Sequence, residues 1–269
     1  MRGLSKRTGR WLLGPLTGYL CVVGLMAALE TTLVFPAPDI PRAALSHAAK
    51  AFGAIEVELQ ARDGTGLYGW RVGEQERLVL YFSGNGSSVG EGDLYRSLRQ
   101  LGLATLHVNY RGYPGSEGTP SEAGIRMDAE AAWAEARRTH PPEKIIVMGT
   151  SLGGGVAAGL VASLDDQPGG LILESTFTSA VAVGAEAYPW LPVRWLMKNR
   201  FDSLAMADQI RCPTLVLHGS ADTMIGPHHG RRLAQAIAGA TFVAVPGRGH
   251  NERLLMHEDV QTPLQSLLR

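Results

Sequence analysis

The sequence predicts an α/β fold built on a mostly parallel, doubly wound sheet. Three observations support this prediction: short runs of continuous apolar residues recur along the chain, helix-like segments separate these runs, and a hairpin signal precedes them. Continuous apolarity is typical of strands that are covered on both faces, as in a parallel sheet. Strands that alternate with helices form doubly wound sheets, which bind ligands at the carboxyl ends of their strands.

The predicted elements follow one another in a regular order. Two strands are predicted at 55–60 and 67–72, and the Asp63-Gly64 pair between them is a hairpin signal. Continuous apolar runs predict six further strands, at 78–82, 103–108, 145–148, 171–173, 214–217 and 241–245. Helix-like segments are predicted at 88–101, 121–139, 152–164, 227–238 and 251–268. The stretch 175–209 interrupts this order and contains several aromatic residues and prolines, so we interpret it as a small helical cap inserted after a strand.

Composition narrows the class of protein. The chain has 269 residues, of which 45% are hydrophobic and 19% charged, as expected of a globular domain. Its formal net charge is zero, which argues against a nucleic-acid partner. The settings of the two cysteines, Cys21 and Cys212, predict no disulfide, and no Cys/His cluster has the spacing of a zinc site. We therefore predict neither a metal nor a cofactor.

Residues 1–35 are predicted to form a membrane anchor. Four basic residues and no acidic ones lie within residues 1–10, and no residue from Trp11 to Leu29 is charged. A helix needs about 20 apolar residues to cross a bilayer. The basic flank predicts a cytoplasmic N-terminus with the catalytic domain on the outer side of the membrane. One alternative is a signal peptide whose cleavage releases a secreted protein, although a clear cleavage site is missing. The other alternative is a helix that is buried in the soluble fold.

The remaining chain divides into a linker at 36–50 and one domain at 51–269, with the cap at about 175–209. Pro36 and Pro38 predict a stiff, extended start for the linker. The adjacent residues His228 and His229 are predicted to point apart on a helix and to be surface histidines rather than metal ligands.

A candidate nucleophile lies at the centre of residues 149–153, which read GTSLG and match the G-x-S-x-G pattern. The pattern follows the strand at 145–148 and opens a helix of small residues, which is the strand–turn–helix context of a nucleophile elbow. Such an elbow strains the serine and brings strand and helix together, so the flanking positions need glycine. We therefore predict Ser151 as the nucleophile. The alternative is a glycine-rich turn that only packs a helix on a strand.

A nucleophilic serine needs a base and an acid that orients the base. Asp222 follows the strand at 214–217, and His250 follows the strand at 241–245. Each therefore lies at the sheet edge where Ser151 emerges, and we predict a Ser151–His250–Asp222 triad. Glu174 also ends a predicted strand and is the alternative acid.

The oxyanion hole is predicted from two loops. The backbone N–H of Leu152, directly after the nucleophile, should supply one donor. The other should come from the loop after the strand at 78–82, where Asn85 is the preferred donor and Gly86 the alternative.

These residues together resemble the α/β-hydrolase superfamily, and more narrowly its small membrane-anchored branch related to eukaryotic α/β-hydrolase-domain proteins. The resemblance covers the chain from about residue 50 to the end and includes the loop at 84–86, the segment 109–118, the elbow, and the Asp222 and His250 loops. Such relatives usually carry histidine where this chain has Ser83. The resemblance implies the hydrolase fold and the triad but no particular substrate.

The predicted function is hydrolysis of a carboxylic ester or thioester through an acyl-enzyme, on a small-molecule or lipid-like acyl substrate. Two alternatives use the same triad, a serine aminopeptidase and an acyltransferase. An alternative of another class is a non-catalytic, membrane-tethered binding protein, against which the complete triad argues.

Overall fold

The structure, a computed structural model, describes the backbone of residues 6–269 and the side chains from Gly14 onward. Its centre is one eight-stranded sheet in the order β1-β2-β4-β3-β5-β6-β7-β8. The strands are β1 (Ala54–Gln60), β2 (Gly66–Val72), β3 (Arg77–Phe82), β4 (Leu103–Val108), β5 (Ile145–Thr150), β6 (Gly170–Glu174), β7 (Thr214–Gly219) and β8 (Thr241–Val245). Strand β2 runs antiparallel to its neighbours, β1 and β4, and all other pairs are parallel. The predicted mostly parallel sheet is confirmed.

Ten α-helices accompany the sheet within the described residues. They are α1 (Lys6–Ala28), α2 (Glu30–Val34), α3 (Arg42–Phe52), α4 (Gly92–Gln100), α5 (Glu122–Arg137), α6 (Leu152–Ser163), α7 (Ala180–Ala187), α8 (Val193–Leu196), α9 (His228–Ala236) and α10 (Glu258–Leu267). Helices α7 and α8 and a 3-10 segment at Leu204–Gln209 lie in the stretch predicted as a cap.

Two apolar layers cover the faces of the sheet. One contains buried residues of α5 and α6 such as Ile125 and Val156. The other contains residues of α3, α4 and α10 such as Leu45, Leu94 and Val260. Both faces of the central strands are therefore buried, which is why these strands appear in the sequence as continuous apolar runs.

The segment 36–50 differs from the predicted linker. Residues Arg42–Phe52 form helix α3, whose Leu45 and Ala49 are buried. The chain ends this helix at Gly53, which adopts a left-handed conformation with φ of 63°. The linker prediction is therefore wrong from residue 42 onward, because an alanine-rich helix packs on the sheet there.

The N-terminal segment also differs from the prediction, although residues 1–5 of the predicted anchor lie outside the described part. Among the described residues, no helix is both long enough and apolar enough to cross a bilayer, so the predicted transmembrane helix is not supported. Helix α1 instead contacts the cap: Val23 and Met26 pack against Val181, Leu191 and Val193.

Candidate active site

The turn between β5 and α6 places Ser151 in a strained backbone conformation, with φ of 53° and ψ of −117°. Glycine is needed at the flanking positions because a side chain there would not fit, and not because the backbone must be flexible. A Cβ at Gly149 would collide with the carbonyl of Gly153, and a Cβ at Gly153 would collide with the carbonyl of Phe82. Thr176, in the loop after β6, donates a hydrogen bond to the Ser151 carbonyl over 2.7 Å and supports the turn. The predicted strand–turn–helix elbow is present.

The structure brings the three predicted triad side chains together from the ends of three strands. Nε2 of His250 lies 3.1 Å from Oγ of Ser151, and Nδ1 of His250 lies 2.7 Å from Oδ2 of Asp222. These are the distances of a serine–base–acid chain. Such a chain can deprotonate the hydroxyl group as it attacks a carbonyl carbon.

Asp222 is buried and held from several directions. Its Oδ1 accepts hydrogen bonds from the backbone N–H groups of Met224 and Ile225, both over 2.9 Å. Nε2 of His218 lies 3.2 Å from Oδ2 of Asp222 and 2.8 Å from the carbonyl of Ile225. Burial lowers the pKa of His218, which favours the neutral imidazole. His218 therefore positions the acid, a role that the sequence analysis missed although a histidine four residues before the aspartate was a visible signal.

Glu174, the alternative acid, is not the partner of His250. It is 1% exposed at the end of β6, and burial raises the pKa of its carboxyl group to about 7. Its backbone carbonyl accepts a hydrogen bond from the Ser151 N–H over 2.9 Å. The geometry therefore favours Asp222 as the acid, while the Glu174 side chain faces a neighbouring cavity with Oε2 unpaired.

The predicted oxyanion residues lie around the serine. Asn85 and Leu152 line the same cavity as Ser151, and Leu152 begins helix α6, where the first N–H groups have no partner within the helix. Gly86 does not line that cavity and faces the carbonyl of Pro36. The arrangement thus favours Asn85 over Gly86.

Two cavities of different character meet at Ser151. The apolar cavity, of about 340 Å³, lies between the N-terminal segment and the cap, and its lining includes Met26, Leu33, Val183, Leu196 and Met197. The polar cavity, of about 300 Å³, is lined by His250 and by a charged group consisting of Glu91, Glu174, Arg253 and Tyr81. An acylated substrate with a polar leaving group would find complementary surroundings on both sides of the nucleophile.

Three residues of the charged group in the polar cavity contact one another. Arg253 pairs with Glu91 and lies 3.4 Å from the Tyr81 hydroxyl group. No local motif indicated Tyr81, Glu91 or Arg253, because these three residues lie far apart in the sequence.

The segment 109–118 has a structural role. The Arg111 side chain is buried and donates to Asp128 over 2.8 and 2.9 Å and to Asp63 over 2.7 Å. His107 is also buried, with its Nδ1 2.9 Å from the Tyr95 hydroxyl group, and burial lowers its pKa to about 3. None of these hydrogen bonds connects Arg111 or His107 to Ser151.

His228 and His229 do not point apart as predicted. Their rings lie 4.3 Å apart, and both contact Glu186 of α7, over 3.2 and 3.3 Å. Helix α7 of the cap supplies the carboxylate that draws them together. Among the described residues, this group is the one whose ligand atoms could hold a metal ion, all lying within 4.8 Å of one another.

Comparisons with known proteins agree with this fold. The Hydrolase_4 family, described as serine aminopeptidase S33, matches residues 73–207. An uncharacterized protein of Mycobacterium tuberculosis is 37% identical over 209 residues, which are 75% of this chain and 74% of that protein. A lysophosphatidylserine lipase, ABHD12 of Danio rerio, is 34% identical over 197 residues, which are 65% of this chain and 51% of that protein.

Solved structures share the fold at lower identity. The Pyrococcus furiosus esterase Pf2001 superimposes with a TM-score of 0.65 at 18% identity, covering 87% of this chain and 97% of that one. The α/β-hydrolase fold is thereby confirmed. The chain belongs to the Hydrolase_4 family of α/β-hydrolases and is a serine hydrolase.

Proposed function

We propose that this protein hydrolyses a carboxylic ester or thioester through an acyl-enzyme. The observation that carries the proposal is the position of His250, which lies within hydrogen-bond distance of both Ser151 and Asp222. His250 takes the hydroxyl proton as Oγ attacks the carbonyl carbon, then returns it to the leaving group. A water molecule deprotonated by the same histidine then releases the acid and restores the enzyme.

Asp222 orients His250 and stabilises its imidazolium form, and the N–H groups of Asn85 and Leu152 stabilise the oxyanion. A lost oxyanion donor raises the barrier by roughly 3–4 kcal/mol in enzymes of this chemistry.

The substrate that the site fits best has one apolar acyl chain and a polar leaving group. The apolar cavity faces Ser151 from one side, and the charged residues Glu91 and Arg253 lie in the polar cavity on the other. The relative named as a lysophosphatidylserine lipase supports a single-chain lipid ester of this type.

A serine aminopeptidase is the second candidate, because carboxylate oxygens of Glu91 and Glu174 are unpaired beside the polar cavity and could receive an ammonium group. The family description supports this alternative as well. The size of the apolar cavity favours the ester.

The decisive experiment combines a fluorophosphonate probe with a substrate panel of short and long acyl esters, thioesters and aminoacyl amides. We expect the probe to label the wild type and the Ser163→Ala control but not Ser151→Ala. Asp222→Asn should lower turnover by a factor on the order of 10⁴.

Labelling or wild-type turnover in Ser151→Ala would remove the proposal. A preference for aminoacyl amides would select the aminopeptidase, and product analysis with added alcohols tests acyl transfer.

We further propose that the protein meets its substrate at a lipid surface. An outer apolar face, formed by Leu20, Leu25 and Leu29 of the N-terminal segment and by Trp190 and Trp195 of the cap, is exposed to solvent. Tyr19 donates a hydrogen bond to the Trp190 carbonyl over 3.0 Å, so the two parts of this face lie side by side. An exposed apolar surface of this kind is typical of a membrane contact.

A further inference from the structure

The apolar cavity beside Ser151 has a wall that comes from outside the sheet and the cap. Met26 and Ala27 of α1 and Leu33 and Val34 of α2 line it, and Ser151 lines the same space. The opposite wall is formed by the cap residues Val183, Gly184, Leu196 and Met197. The N-terminal segment and the cap therefore bound the cavity from two sides.

Glu30 fastens this wall to the domain. Its side chain is buried, and its Oε1 accepts hydrogen bonds from the backbone N–H groups of Lys198 and Asn199 over 2.7 and 2.9 Å. The Asn199 side chain donates to the same oxygen over 3.2 Å. Three donors on one buried carboxylate oxygen hold the junction of α1 and α2 to the end of the cap.

The other end of the wall is fixed next to the oxyanion loop. The ring of Phe35 is buried and packs edge-on against Phe201, with 6.1 Å between the ring centroids. The Asn85 side chain lies 3.5 Å from the carbonyl oxygen of Val34. The wall thus spans from the cap to the loop that is proposed to bind the oxyanion, and it is held at both ends.

We propose that the segment 26–34 forms the acyl-chain subsite together with the cap, and that Ala27 sets the length of acyl chain that Ser151 accepts. The proposal rests on the acyl-ester function proposed above. Ala27 is the smallest side chain that this wall presents to the cavity, so a larger residue there would take space from the chain itself. The neighbouring Ala28 is exposed and does not line the cavity, which makes it a matched control on the same helix.

The experiment measures kcat/KM of the full chain on p-nitrophenyl esters from acetate to myristate. For the wild type we expect kcat/KM to rise roughly fourfold with each methylene that the cavity buries. Ala27→Phe should lose at least tenfold on long chains and leave acetate unchanged, because only long chains reach this wall. Ala27→Leu should also lose kcat/KM on long chains, but the loss should begin at a longer chain length than in Ala27→Phe. Ala28→Phe should follow the wild-type profile.

A graded change in the length limit from Leu to Phe cannot come from misfolding, which would lower the acetate rate as well. The proposal is overturned if Ala27→Phe and Ala28→Phe give the same length profile, or if Ala27→Phe loses acetate and long-chain activity to the same extent. If the wild type hydrolyses no ester of any length, the acyl-ester function itself fails. Ester hydrolysis with unchanged length profiles removes the acyl-chain subsite alone.

Discussion

At the scale of single residues, Glu174 is a buried ionisable group beside the elbow, and the proposed triad does not use it. It is 1% exposed, and its Oε2 has no hydrogen-bond partner. Burial, with Glu91 adding to it, raises the pKa of this carboxyl group to about 7, against the opposing effect of Arg253. Near neutral pH, Glu174 therefore carries a proton in a large fraction of the molecules.

This raised pKa makes stability depend on pH. An acid whose pKa is higher in the folded than in the unfolded state favours folding at low pH. For Glu174 the contribution is fully present below about pH 4.5 and is lost as the pH rises through 7. Glu174→Gln cannot ionise, so we expect its melting temperature relative to the wild type to rise by several degrees between pH 5.5 and pH 8.5.

Thermal melts at the two pH values, with Glu143→Gln as a control at an exposed glutamate, measure this difference. A difference between Glu174→Gln and the wild type that stays constant with pH, or that equals the control's change, contradicts the raised pKa.

The sequence alone predicted that Ser151, Asp222 and His250 lie together, because each follows an apolar strand and parallel strands end at one sheet edge. Glu30 and Glu186 could not be found this way. Glu30 meets Lys198 across 168 positions, and Glu186 meets His228 across 42, so no local spacing indicates either contact. The error about His228 and His229 has the same origin, since their partner lies on the cap.

At the scale of elements, the close packing of β5, α6 and β3 is what shapes the elbow. Two of the glycines in helix α6 differ in how much space surrounds them. A Cβ at Gly153 would strike the Phe82 carbonyl, whereas a Cβ at Gly159 would make ordinary contact with Met206 at 3.6 Å. We expect Gly153→Ala to cost about 1–3 kcal/mol of stability, roughly 3–10 °C in melting temperature, and to lower ester turnover.

Gly159→Ala is the control, and it should be neutral or stabilising because alanine favours a helix over glycine by up to about 1 kcal/mol. Calorimetry measures the melting temperature of both variants, and an ester assay measures their turnover. Equal melting temperatures for the two variants would mean that the elbow has space that the structure does not show.

Strands were easier to predict than helices at this scale. The antiparallel pair β1–β2 and the buried run of β4 were predicted within one residue of their ends, because burial on both faces or alternation leaves a clear pattern. Helix α3 was missed because its buried residues, Leu45 and Ala49, are too few to distinguish it from a linker. Helix α10 begins at Glu258 rather than at 251, since residues 251–257 form loop structure beside the polar cavity.

At the scale of the whole molecule, the N-terminal segment and the cap both line the apolar cavity and both contribute to the outer apolar face. The sequence predicted that the first 35 residues form a membrane anchor that is separate from the catalytic domain. The contacts of Val23, Met26 and Glu30 with the cap make this segment part of the catalytic unit. Removal of residues 1–35 would therefore take away one wall of the site as well as any membrane contact.

The outer apolar face leads to a prediction about vesicle binding by the full chain. Trp195 is 91% exposed, so its substitution changes little within the fold and removes most of its contact with lipid. Burying a large apolar side chain contributes roughly 1.5–3 kcal/mol, and we expect Trp195→Glu to weaken partitioning into phosphatidylcholine vesicles by at least tenfold.

Ile55→Glu, at an exposed position on β1, serves as the matched control and should bind like the wild type. Flotation of the three proteins with the same vesicles measures the bound fraction. Because the vesicles carry no net charge, the basic residues near the N-terminus contribute little to the comparison. Equal partitioning of Trp195→Glu and the wild type would show that this face does not contact lipid, while hydrolysis of soluble short-chain esters by both proteins would leave the proposed chemistry intact.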